Sequence, residues 1–176
     1  MLELELNPIE EKLALRQIKQ IDPKYVISFN YTTIYKLYGI NEEDVFHVHG
    51  KLCCDPNNMV LGYNDDDPEN LDFVYFKKYF QRIQKLTGYI DTNRFGGFDS
   101  EGTLRLPVIH FYGHSMDKTD GDIIQKLRSL ASGFVIYKYN QEDYEQKVIN
   151  LIDVFGKEKA IRMIQAGWIK FVQCES

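Results

Sequence analysis

Leu106-Pro-Val-Ile-His-Phe-Tyr-Gly-His-Ser115, with Asp120–Leu130 and Gly133–Asn140 after it, decides how this chain reads. Leu106–Tyr112 is β-branched and aromatic and runs into a Gly113-His114-Ser115 turn, as a buried strand does at its end. Asp120–Leu130 has helical spacing, and Gly133-Phe-Val-Ile-Tyr-Lys-Tyr-Asn140 is a second strand. A strand, a helix and a strand in that order require a crossover of fixed hand and hence parallel pairing.

The same alternation extends both ways. Toward the C-terminus, Gln141–Val154 reads as a helix stopped by Gly156, Lys157–Ala166 as another, and Ile169–Val172 as a closing strand. Toward the N-terminus, Pro8–Gln20 is a helix that Asp22-Pro23 ends, because a residue before proline leaves the helical region. Lys24–Asn30 is a strand, Thr32–Leu37 begins a helix that stops at Gly39, and Val45–Gly50 is a strand. Met59–Gly62 is a short third strand of this half, and an acidic loop, Asp65–Asp67, follows it. Phe73–Leu86 then reads as a helix, with a glycine-rich link from Gly96 to Gly102. The expected fold is α/β, Rossmann-like, with a mostly parallel sheet and helices on both faces.

The 176 residues fit one domain, with 44% hydrophobic and 27% charged residues, enough for a substantial core. A net charge of −5 makes the chain a poor candidate for nonspecific nucleic-acid binding, which rests on cations meeting phosphates. Lys77-Lys78 and Lys157–Lys159 read as solvated helix faces. The three cysteines, Cys53, Cys54 and Cys174, give neither a disulfide framework nor a CxxC zinc pair. No apolar run approaches the ~20 residues of a membrane span, and the N-terminus lacks the flank of a signal peptide. Cytoplasmic residence is expected.

Open α/β sheets bind ligands beyond the carboxyl ends of their strands. Four strands here end in polar groups: Phe29-Asn30, His49-Gly50, Gly113-His114-Ser115 and Tyr139-Asn140. Asn30 reads either as a group that orients water or a ribose hydroxyl, or as the cap of the helix near Thr32. His49 reads as a general base or, with His47 and His114, as a metal ligand. Gly113 and Ser115 suit a ribose or phosphate, and equally an ordinary strand-to-helix turn. Asp120 and Asp122 read as helix N-terminal acids.

Ile27-Ser-Phe-Asn-Tyr-Thr32, Val48-His-Gly-Lys51 with Leu61-Gly62, and Tyr112-Gly-His-Ser-Met-Asp117 with Asp120 together resemble the AbiH family of antiphage, abortive-infection proteins. The resemblance runs from about residue 8 through nearly the whole chain. AbiH is similar to sirtuin-like domains, which implies NAD as cofactor and no bound metal. It implies Asn30 and His49 as catalytic residues, His49 being the base on the nicotinamide ribose. Phe29, Tyr31, Thr32, Gly113, His114, Ser115 and Asn140 would line the nucleotide, and a glycohydrolase-type activity is the implied chemistry.

Full-length AbiH proteins begin with a strand and a Gly-Asn-Gly-Phe-Asp type of loop, whereas residues 1–23 contain no glycine. Residues 1–176 therefore read as one N-terminally shortened domain, its nucleotide site completed by a protein partner or a second copy. An open sheet edge would admit such a homo-oligomer. Two other readings stand beside this one: a non-catalytic interaction or sensor module, and a metal-dependent hydrolase using His47, His49 and His114.

Overall fold

The computed structural model describes residues 17–52, 58–63, 72–98 and 100–175. Residues 17–21 are helical, whereas the start of the expected Pro8–Gln20 helix lies outside the described residues. The acidic loop Asp65–Asp67 and the pair Cys53-Cys54 lie outside them too.

Strands β1 (Val26–Ser28) and β2 (Val45–His47) pair in parallel, with Ile27 opposite Phe46. The Val48 amide carries the ladder one step further by donating to the Ser28 carbonyl at 2.9 Å. The connection contains a short 3-10 helix, Ile34–Tyr38, which Gly39 ends in the left-handed region at φ 73°. Only a residue without Cβ takes that conformation freely.

Strands β3 (Gly97–Phe98) and β4 (Leu104–Arg105) form a small antiparallel hairpin whose first strand and turn occupy the stretch expected to be a plain link. Then come β5 (Val108–Phe111), β6 (Gly133–Lys138) and β7 (Ile169–Gln173), a parallel sheet in the order β5-β6-β7. Helix α1 (Lys78–Lys85) precedes the hairpin, α2 (Gly121–Ser129) joins β5 to β6, and α3 (Gln141–Phe155) with α4 (Lys157–Gln165) joins β6 to β7.

The central strand explains the last sheet. Phe134, Ile136 and Tyr137 of β6 are buried, as a strand flanked on both sides by parallel neighbours requires. Phe134 packs edge-on against Phe111 at 4.8 Å and against Trp168 at 4.5 Å. Ile124 and Leu127 of α2, Leu151 of α3 and Ala160 of α4 close over the same cluster. Because strand order follows chain order, crossovers of one hand stack these helices on one face.

The α/β class and the parallel pairing match the sequence reading. The single doubly wound sheet does not emerge as one ladder: among the described residues the strands form three small sheets. Met59–Gly62 forms no strand, and just after it the chain makes an isolated bridge, Tyr63 to Lys77. That bridge also explains why the expected Phe73–Leu86 helix breaks into a 3-10 turn, Val74–Phe76, and α1. Lys77 must be extended (ψ 131°) to pair with Tyr63.

Among the described residues, no helix is long and apolar enough to cross a membrane.

Candidate functional site

The carboxyl ends of β1, β2 and β5 converge. Phe29, just past β1, packs its ring 4.2 Å from that of His114, past β5, and 5.7 Å from that of His49, past β2. Tyr31 adds its ring at 6.3 Å from His49 and donates its hydroxyl to the Val60 carbonyl at 2.7 Å. Burial, and then the nearby Asp120 charge, raise the pKa of Tyr31 above the ordinary phenol value.

Between the two histidines lies Asp120, which belongs to the residues that resemble AbiH but was assigned no role beyond a helix-start acid. Its Oδ1 is 3.0 Å from His49 Nε2 and 3.0 Å from Lys78 Nζ, and its Oδ2 is 3.7 Å from His114 Nε2. Asp120 occupies the N-cap position of α2, yet its side chain caps nothing. An N-cap aspartate ordinarily turns its oxygen onto the helix amides. Here it turns toward the imidazoles and the ammonium, and Asp117 takes the capping work three residues earlier through the Thr119 amide at 2.8 Å.

Burial works against an ionised carboxylate here. The facing imidazole N–H groups of His114 and His49, and then the charges of His49 and Lys78, outweigh it and hold Asp120 well below the usual carboxylate range.

The ring nitrogens can be told apart. His114 Nδ1 accepts from the Met116 amide at 2.9 Å, so its proton sits on Nε2, the atom facing Asp120. In His49 the carboxylate likewise draws the proton to Nε2. That contact is at ion-pair distance but off the line of a hydrogen bond. His49 Nδ1 is then the basic atom, and it is buried with no hydrogen-bond partner.

Local backbone shape sets this geometry. Gly50 lies in the left-handed region at φ 79°, tight against Asn58, and the Val60 amide donates to the His49 carbonyl at 2.8 Å. Gln81 of α1 clamps Leu61 from both sides, accepting from its amide at 2.9 Å and donating to its carbonyl at 2.6 Å. The same helix sends Lys78 to Asp120 and Arg82 to Asp122, so α1 ties the His49 loop to the start of α2. The Lys77-Lys78 pair is therefore not the solvated face expected from sequence. Lys77 is fully buried, and the Lys78 side chain is 15% exposed.

On the β5 side, Gly113 (φ 67°) and Met116 (φ 61°) are both left-handed. Met116 has a Cβ and needs holding there. Its side chain is fully buried, and Asn150 of α3 donates to the neighbouring Ser115 carbonyl at 2.8 Å.

The remaining expected residues fall into two groups. Asn30, Thr32, Gly113 and Ser115 are exposed, in chain positions that flank the buried floor. Asn140 caps α3, its Oδ1 accepting from the Asp143 amide at 2.8 Å. Asn140→Ala is expected to cost about 1 kcal/mol, read as a small fall in Tm. His47 stands apart from the cluster, its ring edge-on to Tyr35 at 5.4 Å, and burial lowers its pKa below the ordinary imidazole value. Among the described residues, no three His, Cys, Asp or Glu side chains are arranged to hold a metal ion.

Sequence reasoning gave Asp120 and Lys78 other roles and did not single out Asn150. For Asp120 the available signal was an acid directly after a strand-end turn carrying a histidine. Nothing local marks the other two.

The family described as Bacteriophage abortive infection AbiH matches this chain over residues 2–139. That span includes every residue of the cluster around Asp120. No curated protein and no solved structure matches the chain.

Proposed function

The chain belongs to the AbiH family of bacteriophage abortive-infection proteins, and from that premise we propose that the cluster around Asp120 is a nucleotide-handling acid–base site. The observation that carries this reading is the buried His49–Asp120 pair, with His49 Nδ1 left as a base without a partner. In this reading the two small parallel sheets belong to one Rossmann-type, sirtuin-like layer, and NAD is the substrate. A partner or second copy would supply further phosphate contacts.

His49 Nδ1 takes a proton from a ribose hydroxyl or from water, and the Asp120 carboxylate stabilises the imidazolium that results. Asn30, exposed at the rim, orients the attacked group, and Gly113 allows a sugar to approach the backbone. Lys78 cancels the charge of Asp120, so the floor is close to neutral. Such a floor suits a ribose or nicotinamide better than a pyrophosphate.

The test is release of nicotinamide from NAD by the purified chain. His49→Ala is expected to lower turnover at least about 100-fold while the circular dichroism spectrum is kept. Full turnover in that variant would remove His49 from the chemistry. If the wild-type chain neither binds nor cleaves NAD, the nucleotide reading fails. A second reading, a protein-docking module, is favoured by Ile83 of α1 and Leu86 just after it, both large apolar side chains that are exposed.

A further inference from the structure

Helix α1 is amphipathic the wrong way round for a lone chain. Its polar face points inward: Gln81 and Arg82 are buried, and the helix's three cations each have an inward partner. Lys78 meets Asp120, Arg82 meets Asp122, and Lys85 donates to the Met59 carbonyl. Its apolar face points outward. Ile83 is 71% exposed and Leu86 88%. Phe76 in the preceding turn is 58% exposed, and Tyr75 beside it is 69% exposed. Tyr75 packs edge-on against Phe80 at 5.3 Å, so the turn and the helix share one continuous strip. Within α1, positions 80 and 83 fall on one side of the helical period, and Leu86 follows at the helix end. Phe73 and Tyr89, also exposed, flank these residues in the sequence.

We infer that this strip is the contact face of a homodimer, a second copy of the chain packing α1 against α1 across a twofold axis. Two features select that occupant. The first is size. Aromatic and large aliphatic side chains bury ~150–250 Å² each, so six that are largely exposed offer on the order of 800 Å². That is about what one partner contributes to a standard interface, and more than scattered surface residues provide.

The second feature is charge. The chain carries a net charge of −5, and most pairings of one copy with another set like charges against each other. None of these six residues is charged, and the helix's cations are engaged on its other face. A charge-free strip is self-complementary, as a twofold contact demands of both copies at once. This face is distinct from the open sheet edge expected from sequence. It is the outer side of the helix whose inner side holds Asp120 and the His49 loop.

The experiment is sedimentation equilibrium on the full chain, wild type against the double variant Ile83→Lys, Leu86→Lys. Both positions are exposed, and lysine near a helix C-terminus is compatible with the dipole, so the variant should keep its circular dichroism spectrum. Placed at a twofold axis, the new charges face their own copies. The wild type is expected to be a dimer at tens of micromolar and the variant a monomer at the same concentration. A wild type that stays monomeric up to about 100 μM would overturn the proposal and assign the strip to a different partner. A dimer that survives in the folded double variant would overturn it as well, by placing the contact elsewhere.

Discussion

Asp120→Ala is expected to lower the unfolding free energy by about 3–5 kcal/mol, the usual loss when one member of a buried charge cluster is removed. In a chain of this size that is a fall in Tm of roughly 10 °C. The loss comes from what is left behind: Lys78 loses its acid, and both imidazole Nε2 atoms lose theirs. The conservative Asp120→Asn keeps the shape and removes the charge, so it isolates the electrostatic share. The pH dependence has a fixed sign. A carboxylate held below its unfolded value of about 4 contributes stability that is fully present above that pH. The contribution is lost as the pH falls from there toward the lower folded value. Wild-type thermal melts between pH 6 and pH 3 should therefore show a falling Tm at the acid end, and Asp120→Asn a flatter profile. Superimposable profiles would remove Asp120 from the centre of the cluster.

Gly50→Ala is the second large effect. At φ 79° a side chain costs about 1 kcal/mol in backbone strain alone. The added methyl also runs into the Asn58 carbonyl, a backbone atom that can move only if the segment from Asn58 to Val60 moves with it. Overpacking of this kind adds about 1–3 kcal/mol. Urea unfolding should show a combined loss of about 2–4 kcal/mol. Because Val60 holds the His49 carbonyl, the pairing of His49 with Asp120 should loosen as well. A two-dimensional spectrum of labelled histidine rings would report that loosening directly. An unchanged His49 signal alongside the stability loss would show that the loop and the cluster are independent.

What the sequence disclosed follows the range of the forces involved. The helices at Gln141–Phe155 and Lys157–Gln165, the stop at Gly156 and the strand at β6 follow from spacing and turn chemistry within a dozen residues, and they were legible. The partition into three sheets was not, because pairing between distant strands leaves no local mark. The break in the Phe73–Leu86 helix was hidden for the same reason: a bridge to Tyr63 dictates the conformation of Lys77. At the site, the histidines were readable as polar groups ending apolar strands. Asp120 was visible but misassigned, since an acid before a helix has a sufficient local explanation. Two of its partners, His49 just past β2 and Lys78 of α1, are far away in the chain.

The separation between the β1–β2 pair and the β5–β7 sheet has a consequence for motion. No backbone ladder of described strands crosses between them, so the halves are joined by side chains and by α1. Amide hydrogens of β6, locked between two neighbours, should exchange only with global unfolding. Those of β1 and β2, three residues each, are expected to exchange earlier, as a smaller cooperative unit with a lower opening energy. When that unit opens, His49 leaves Asp120 while the other half stays folded. Exchange of the β1 and β2 amides ahead of those of β6 would therefore report how often the buried His49 ring is uncovered without global unfolding.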